Sequence, residues 1–281
     1  MKNGLRLDST SYSSLVDHDH EVSALALALN CQEVLTKGSV SSSKTQKRLD
    51  FLLHEFLSLS PNLLEPVETL AALNKFLFQN KFLRASTTQE IDSDFFISKI
   101  LETRCGHPLG LSLIYRHIAR RAQTVPVNLV NFPGFFLIKI LYRHQLLFLD
   151  PAENGRVLTV RALQAKLSNK YGKNLTLNGT FLETPSEIQT ITRFLVKLKN
   201  IYSEERRWTL LLTVLDMLIA TNPQRPLEYR ERGMLLFRLG ASNEASKDLS
   251  IYIEKSQPTP EVEKIRSILN RLEYPNVTPL F

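Results

Sequence analysis

The 281 residues are 43% hydrophobic and 22% charged, an ordinary globular balance with enough chain for one large or two modest cores. No apolar run reaches the roughly 18 residues of a membrane span, and the two cysteines, Cys31 and Cys105, form neither a disulfide framework nor a CxxC pair. The six histidines include no HExxH, so neither a metal nor a cofactor is expected.

The net charge of +7 is uneven: residues 101–182 hold 11 Lys+Arg against 3 Asp+Glu, while residues 1–100 hold 10 against 12 and residues 183–281 hold 14 against 13. Such a segment favours an acidic partner. Without dense Lys/Arg runs or aromatic interleaving, nucleic acid is not expected to bind, and a solvated basic face is the simpler reading.

In chain order, residues 1–20 are polar and read as a flexible N-terminus. The opening MKNGLRLDSTSYSSLVDHDHE lacks the apolar stretch and cleavage site of a secretory signal, so a cytoplasmic location is expected. EVSALALALNCQEVL has helical spacing. KGSVSSSKTQ reads as a loop, and a second helix over about 46–58 carries Leu49, Leu52, Leu53 and Phe56 in a stripe. VETLAALNKFLFQNKF gives a third helix (67–82), and a short one begins near Ser93 and stops at Gly106.

The stretch TRCGHPLG (103–110) places Pro108 in a helix's first turn, where its missing N–H costs nothing. The helix runs to about 123, with Leu111, Ile114, Tyr115, Ile118 and Ala122 on its apolar face, and Arg116, Arg120 and Arg121 suit its negative end. VPVNLVNF, GFFLIKILY and QLLFLD then read as three antiparallel strands, separated by the turn pairs Pro133-Gly134 and Arg143-His144. Residues 158–170 read as a helix and 171–184 as a loop.

The remainder fits a template of about 34 residues. Leu198, Tyr202, Trp208, Leu215 and Pro223 fall in register in a first unit; Tyr229, Gly233, Leu236, Gly240, Ala245 and Leu249 fall in a second. This resembles the tetratricopeptide repeat, with VEKIRSILNRL as a capping helix. If the repeats bind a peptide, Tyr202, Trp208, Tyr229, Arg232 and Leu236 are the candidate contacts.

A thiol at a helix N-terminus, a histidine on the next strand and an aspartate on the one after make a nucleophile, base and orienting group. RCGHPLGLSLIYRHIARRA, VNFPGFFLIKI and LLFLDPAENGRVL resemble the transglutaminase-like family of the bacterial SirB type over roughly residues 21–275. The resemblance implies an α+β chain with a helical N-terminal part and a papain/transglutaminase-like core, in which a central helix packs on a small antiparallel sheet. An all-α tetratricopeptide-like tail follows. The expected division is a core over 21–184 and repeats over 185–281.

Carried over one position at a time, the family's nucleophile falls on Pro108 and its PGHF histidine on Phe135. Only the aspartate survives, as Asp150. The resemblance therefore implies a catalytically silent protein acting as a protein-interaction or regulatory module; its partner is an unknown protein or peptide, and the basic segment would suit an acidic one. The alternative is a cysteine-type hydrolase or acyltransferase with relocated residues, using Cys105, His107 and Asp150.

Overall fold

The computed structural model describes residues 8, 10–17, 22–59, 65–87, 91–123, 126–130, 132–172 and 174–273, without the side chains of residues 11, 15, 17 and 273. They form two compact units, one drawn from residues 21–194 and the other from 195–281 together with 1–20.

The core unit begins with α2 (Ala24–Leu35), α3 (Ser42–Leu59) and α4 (Pro66–Lys75); α1 (Thr10–Asp17) belongs to the other unit. Ser23 caps α2, its hydroxyl accepting from the Ala26 N–H. The helix predicted over 67–82 divides: α4 passes into a π-helical turn, Phe76–Asn80. After it come a two-residue strand, β1 (Arg84–Ala85), a 3₁₀ turn (Asp92–Phe95) and α5 (Ile97–Thr103). Strand β2 (Cys105–Gly106) then pairs in parallel with β1. A Cβ on Gly106 would stand 2.8 Å from the Asp94 carbonyl oxygen and collide with the Ile100 side chain. Only glycine lets the chain pass α5 this closely on its way into the next helix.

That helix, α6 (Pro108–Arg121), is the centre of the unit. Leu109, Leu111, Leu113, Ile114, Tyr115, Ile118 and Ala119 are all buried, too many for one stripe, so neighbours surround it. They include α2, α3, α5 and two strands of the sheet. Arg120 and Arg121 close its last turn as predicted. Arg116 instead is buried against Glu187, Nη2 to Oε2 at 2.7 Å, so it leaves the exposed basic face. The acidic side of that pair also accepts from the Ala24 N–H at 2.8 Å. Burial would raise the Glu187 pKa, but the Ala24 N–H, Arg116 and Arg120 outweigh it and hold the carboxyl below its ordinary value.

The sheet has four strands rather than the three expected: β3 (Val127–Val130), β4 (Leu137–Tyr142), β5 (Gln145–Asp150) and β6 (Arg156–Leu158), antiparallel in that order. Tyr142 pairs with Gln145, so Arg143 and His144 form a two-residue turn with φ of 45° and 65°. Positive φ at both positions marks the turn whose twist suits a hairpin. Alternation along the strands buries both faces. Val130, Leu137 and Phe148 pack with Leu163 and Leu167 of α7 (Val160–Tyr171), while Ile138 and Leu149 point to the α6 side.

The second unit is all helix: α8 (Glu187–Glu204), whose first half lies in the core unit, then α9 (Trp208–Thr221), α10 (Pro226–Arg238), α11 (Ser242–Lys255) and α12 (Pro260–Glu273). Helix α12 extends the predicted cap by a residue or two and buries Val262 and Ile265 beside Leu249 and Tyr252. The expectation of a flexible N-terminus fails at Thr10–Asp17. These residues form α1, packed on α9, with Tyr12 fully buried. The rest of the 1–20 reading lies largely outside the described residues.

Candidate functional site

Pro108 stands at the first position of α6 and His107 caps it. The Leu109 N–H donates to His107 Nδ1 at 3.2 Å, so that nitrogen presents a lone pair rather than a proton. The ring is 5% exposed. It stacks on Phe95 with centroids 4.1 Å apart and meets the edge of Phe136 at 5.0 Å. His107 is a capping and packing residue.

Cys105 is half-buried on β2. Its hydrogen bonds are made by its backbone with the Thr103 hydroxyl. The other thiol, Cys31, is fully buried, and burial pushes its pKa far above the usual thiol range, which leaves it inert.

The loop from β3 to β4 turns at Pro133 and Gly134, the glycine with φ +70°, and the Phe135 N–H closes it on the Phe132 carbonyl at 3.3 Å. The sequence predicts a turn between strands here, and proline followed by a glycine with positive φ fits the type II form. The loop is clamped from α8: the Arg193 guanidinium donates to the carbonyls of Val130, Phe132 and Phe135 at 3.3, 3.1 and 2.9 Å, and lies 4.3 Å from the Phe136 ring centroid. From α7, Lys170 donates to the Gly134 carbonyl at 2.9 Å.

Phe135 packs against the cluster between the sheet and α7. The ammonium groups of Lys166 and Lys170 lie 5.1 and 4.9 Å from its ring centroid, a cation–π arrangement. Asp150, 1% exposed, ends β5. Its Oδ1 accepts from the Ala152 N–H at 2.8 Å, capping a 3₁₀ turn, and its Oδ2 is 2.7 Å from Lys166 Nζ. Lys166 also binds Glu153. Burial would lower the Lys166 pKa, but hydrogen bonds and charges of Asp150 and Glu153 outweigh it and raise the ammonium above its ordinary value.

Phe135, Lys166 and Asp150 therefore form one connected group. Where the family resemblance implies a histidine, an aromatic ring stands under a cation, and that cation is bound to the aspartate. The acidic neighbours of Lys166 favour its protonated form, which donates rather than accepts. Asp150 makes its side-chain contacts with Ala152 and Lys166, and neither Cys105 nor His107 is among them. Among the described residues no group of three or more His, Cys, Asp and Glu is arranged to hold a metal. Lys166, Lys170 and Arg193 were invisible as site residues in the sequence; the one signal was their placement on helices flanking the turn.

The repeat candidates separate sharply. Tyr202, Tyr229 and Leu236 are buried. Arg232 is held by Asp216 and Asp248. These four are core residues rather than partner contacts: aromatic and leucine positions recurring at helical spacing are the ones paired helices bury against each other. Trp208 alone lines an open groove of about 470 Å³ with Arg206, Arg230, Met234 and Arg238.

No described helix is long and apolar enough to cross a membrane. A family model described as the transglutaminase-like superfamily matches residues 43–196, more than half of the chain, and a tetratricopeptide repeat model matches residues 198–270. The chain is 27% identical over 231 residues to Protein SirB1 of Salmonella typhimurium, covering 82% of this chain and 85% of that protein. It is 28% identical over 204 residues to a UPF0162 protein of Xylella fastidiosa, covering 71% and 72%, and 28% identical over 201 residues to UPF0162 protein BU173 of Buchnera aphidicola, covering 72% and 74%. No solved structure matches. Together with the central helix, the antiparallel sheet and the helical segment that follows them in the sequence, these matches establish that the chain belongs to the transglutaminase-like superfamily, with a tetratricopeptide repeat segment and distant kinship to SirB1.

Proposed function

We propose that the protein is a catalytically silent transglutaminase-like module of the cytoplasm, acting through protein interaction or regulation. The observation that carries this is the substitution of chemistry by structure at three positions. Pro108 starts the helix, Phe135 fills the base position, and Asp150 is ion-paired with Lys166. The rival reading, a hydrolase or acyltransferase using Cys105, requires a thiol with an activating base. Wild-type protein is expected to show no ester or peptide hydrolysis above background with model substrates. Hydrolysis that disappears in Cys105→Ala would sink the proposal.

The docking surface in this reading is the repeat groove, and its ligand an acidic, extended segment. Two of the groove's cations are committed, Lys199 to Glu231 at 2.6 Å and Arg230 to Glu261. Arg206 and Arg238 make no ion pair among the described residues, and are free to meet carboxylates. Trp208 is the chain's single tryptophan, so its emission reports on the groove directly. Titration with a decaglutamate peptide is expected to shift that emission saturably, less so at high salt. The shift should vanish in Arg206→Glu/Arg238→Glu; an unchanged emission in the wild type would remove the groove as a docking site.

A further inference from the structure

The core unit carries a second open depression, of about 340 Å³, on the outer face of α3. Helix α3 buries Thr45, Leu49, Leu53 and Phe56 inward, which turns Lys47, Arg48 and Phe51 to the outside. Phe51 is 71% exposed. Leu83 and Leu101 add apolar lining to the depression, and Arg104 lines it too.

Three departures from regular backbone border this depression. The π-helical turn Phe76–Asn80 delivers Lys81 to it; such turns recur at functional sites. Phe82, 64% exposed, has φ +55°. Arg104, the cap of α5, has φ +59°. Glycine takes this conformation without strain and is the usual residue at such a helix end. A bulky aromatic and an arginine stand there instead: Arg104 lines the hollow, and Phe82 lies in sequence between two residues that do, Lys81 and Leu83. Strained backbone of this kind concentrates where a site is being shaped.

The charge is one-sided. Lys81 is taken by Glu55, and Arg48 reaches the Ser98 carbonyl only at 3.5 Å. Among the described residues, Lys47 and Arg104 make no ion pair and no carboxylate lines the hollow. We propose that this depression binds an acidic amphipathic peptide segment of a partner protein. A leucine or phenylalanine side chain seats against Phe51, Leu83 and Leu101, and flanking carboxylates meet Lys47, Arg48 and Arg104. The surface is concave, which suits an inserted side chain, whereas a bilayer is met by a protruding face. The site is separate from the repeat groove, and its occupancy does not depend on the reading given for that groove.

Fluorescence anisotropy of the full chain with a labelled ten-residue peptide of alternating Glu-Glu and Leu-Phe pairs tests this. Saturable, salt-sensitive binding is expected. The double reversal Lys47→Glu/Arg48→Glu and the single change Phe51→Ser should each weaken it at least tenfold. All three positions are on the outer face of α3, so the fold is expected to persist. The Arg206→Glu/Arg238→Glu variant of the repeat groove should leave this binding within twofold of wild type. Absence of saturable binding overturns the proposal, as does equal binding of a counterpart with Ser-Ser in place of Leu-Phe. Binding to phosphatidylglycerol vesicles or single-stranded DNA that is lost in the same core variants, without peptide binding, also overturns it.

Discussion

Replacing Arg232 with alanine is expected to destabilise the repeat unit by about 3–5 kcal/mol, the cost of stripping a buried carboxylate of its partner. The guanidinium bridges three successive helices. From α10 its Nε and Nη2 donate to both Asp248 oxygens on α11, at 2.7 and 2.6 Å, and its Nη1 to Asp216 on α9, at 2.8 Å. The side chain is 13% exposed, against 6% for Asp248 and 11% for Asp216, so water replaces little of what Asp248 loses. Burial would lower the Arg232 pKa, but Asp248 and Asp216 outweigh it and raise it above the ordinary arginine value. Arg232→Lys keeps the charge and loses the fork, so its cost should fall to roughly 1.5–3 kcal/mol, the worth of a charged hydrogen bond. Urea unfolding followed by Trp208 emission checks both, because the tryptophan sits on α9 inside this unit and avoids a two-state treatment of the whole chain. A partner-contact arginine would behave differently: its loss would weaken binding and leave the urea midpoint in place.

The same residue shows where sequence reading reached its limit. Placing Arg232 and Tyr229 on a repeat is a matter of periodicity, and periodicity was legible; which side of the helix faces its neighbour is decided by packing. Four of five candidates turned out to be interior. The β-sheet was legible for the same reason that its turns are: Pro133-Gly134 and Arg143-His144 occupy positions that demand their backbone conformations. Strand β6 was not, because Arg156–Leu158 is three residues long and only pairing with β5 defines it. The parallel pair β1–β2, two residues each, carries no periodic signal at all. In the candidate site, the absences at Pro108 and Phe135 could be read position by position. What replaced the chemistry could not. Lys166 reaches Asp150 from another element, 16 residues on, and nothing local marks a helical lysine as the partner of a buried carboxylate.

Lys166→Met is the experiment that separates a structural Asp150 from a catalytic one. Removing the ammonium leaves Asp150 buried with the Ala152 N–H as its remaining side-chain partner, and leaves Glu153 with Arg156 alone. Lys166 is 18% exposed and Glu153 36%, so solvent recovers part of the loss and the expected cost is roughly 2–3 kcal/mol. Asp150→Asn in the same background removes the stranded charge and should recover part of that loss, giving a coupling between the two positions of about 0.5–3 kcal/mol. The pH dependence carries a definite sign. The ammonium's folded pKa lies above its unfolded one, so its contribution is complete below the ordinary lysine value and is lost as pH rises through the raised value. For Glu153, the hydrogen bond from Lys166 leads the causes that hold its pKa below the ordinary carboxylate value. That contribution is present above the ordinary value and is lost as pH falls through the lowered one. Wild-type stability, measured by thermal unfolding across pH, should therefore weaken at both extremes, and Lys166→Met should flatten both limbs. A variant that keeps the wild-type profile and midpoint would show that the pair does not hold the sheet end together. Asp150 would then need another reason for being buried at the end of its strand.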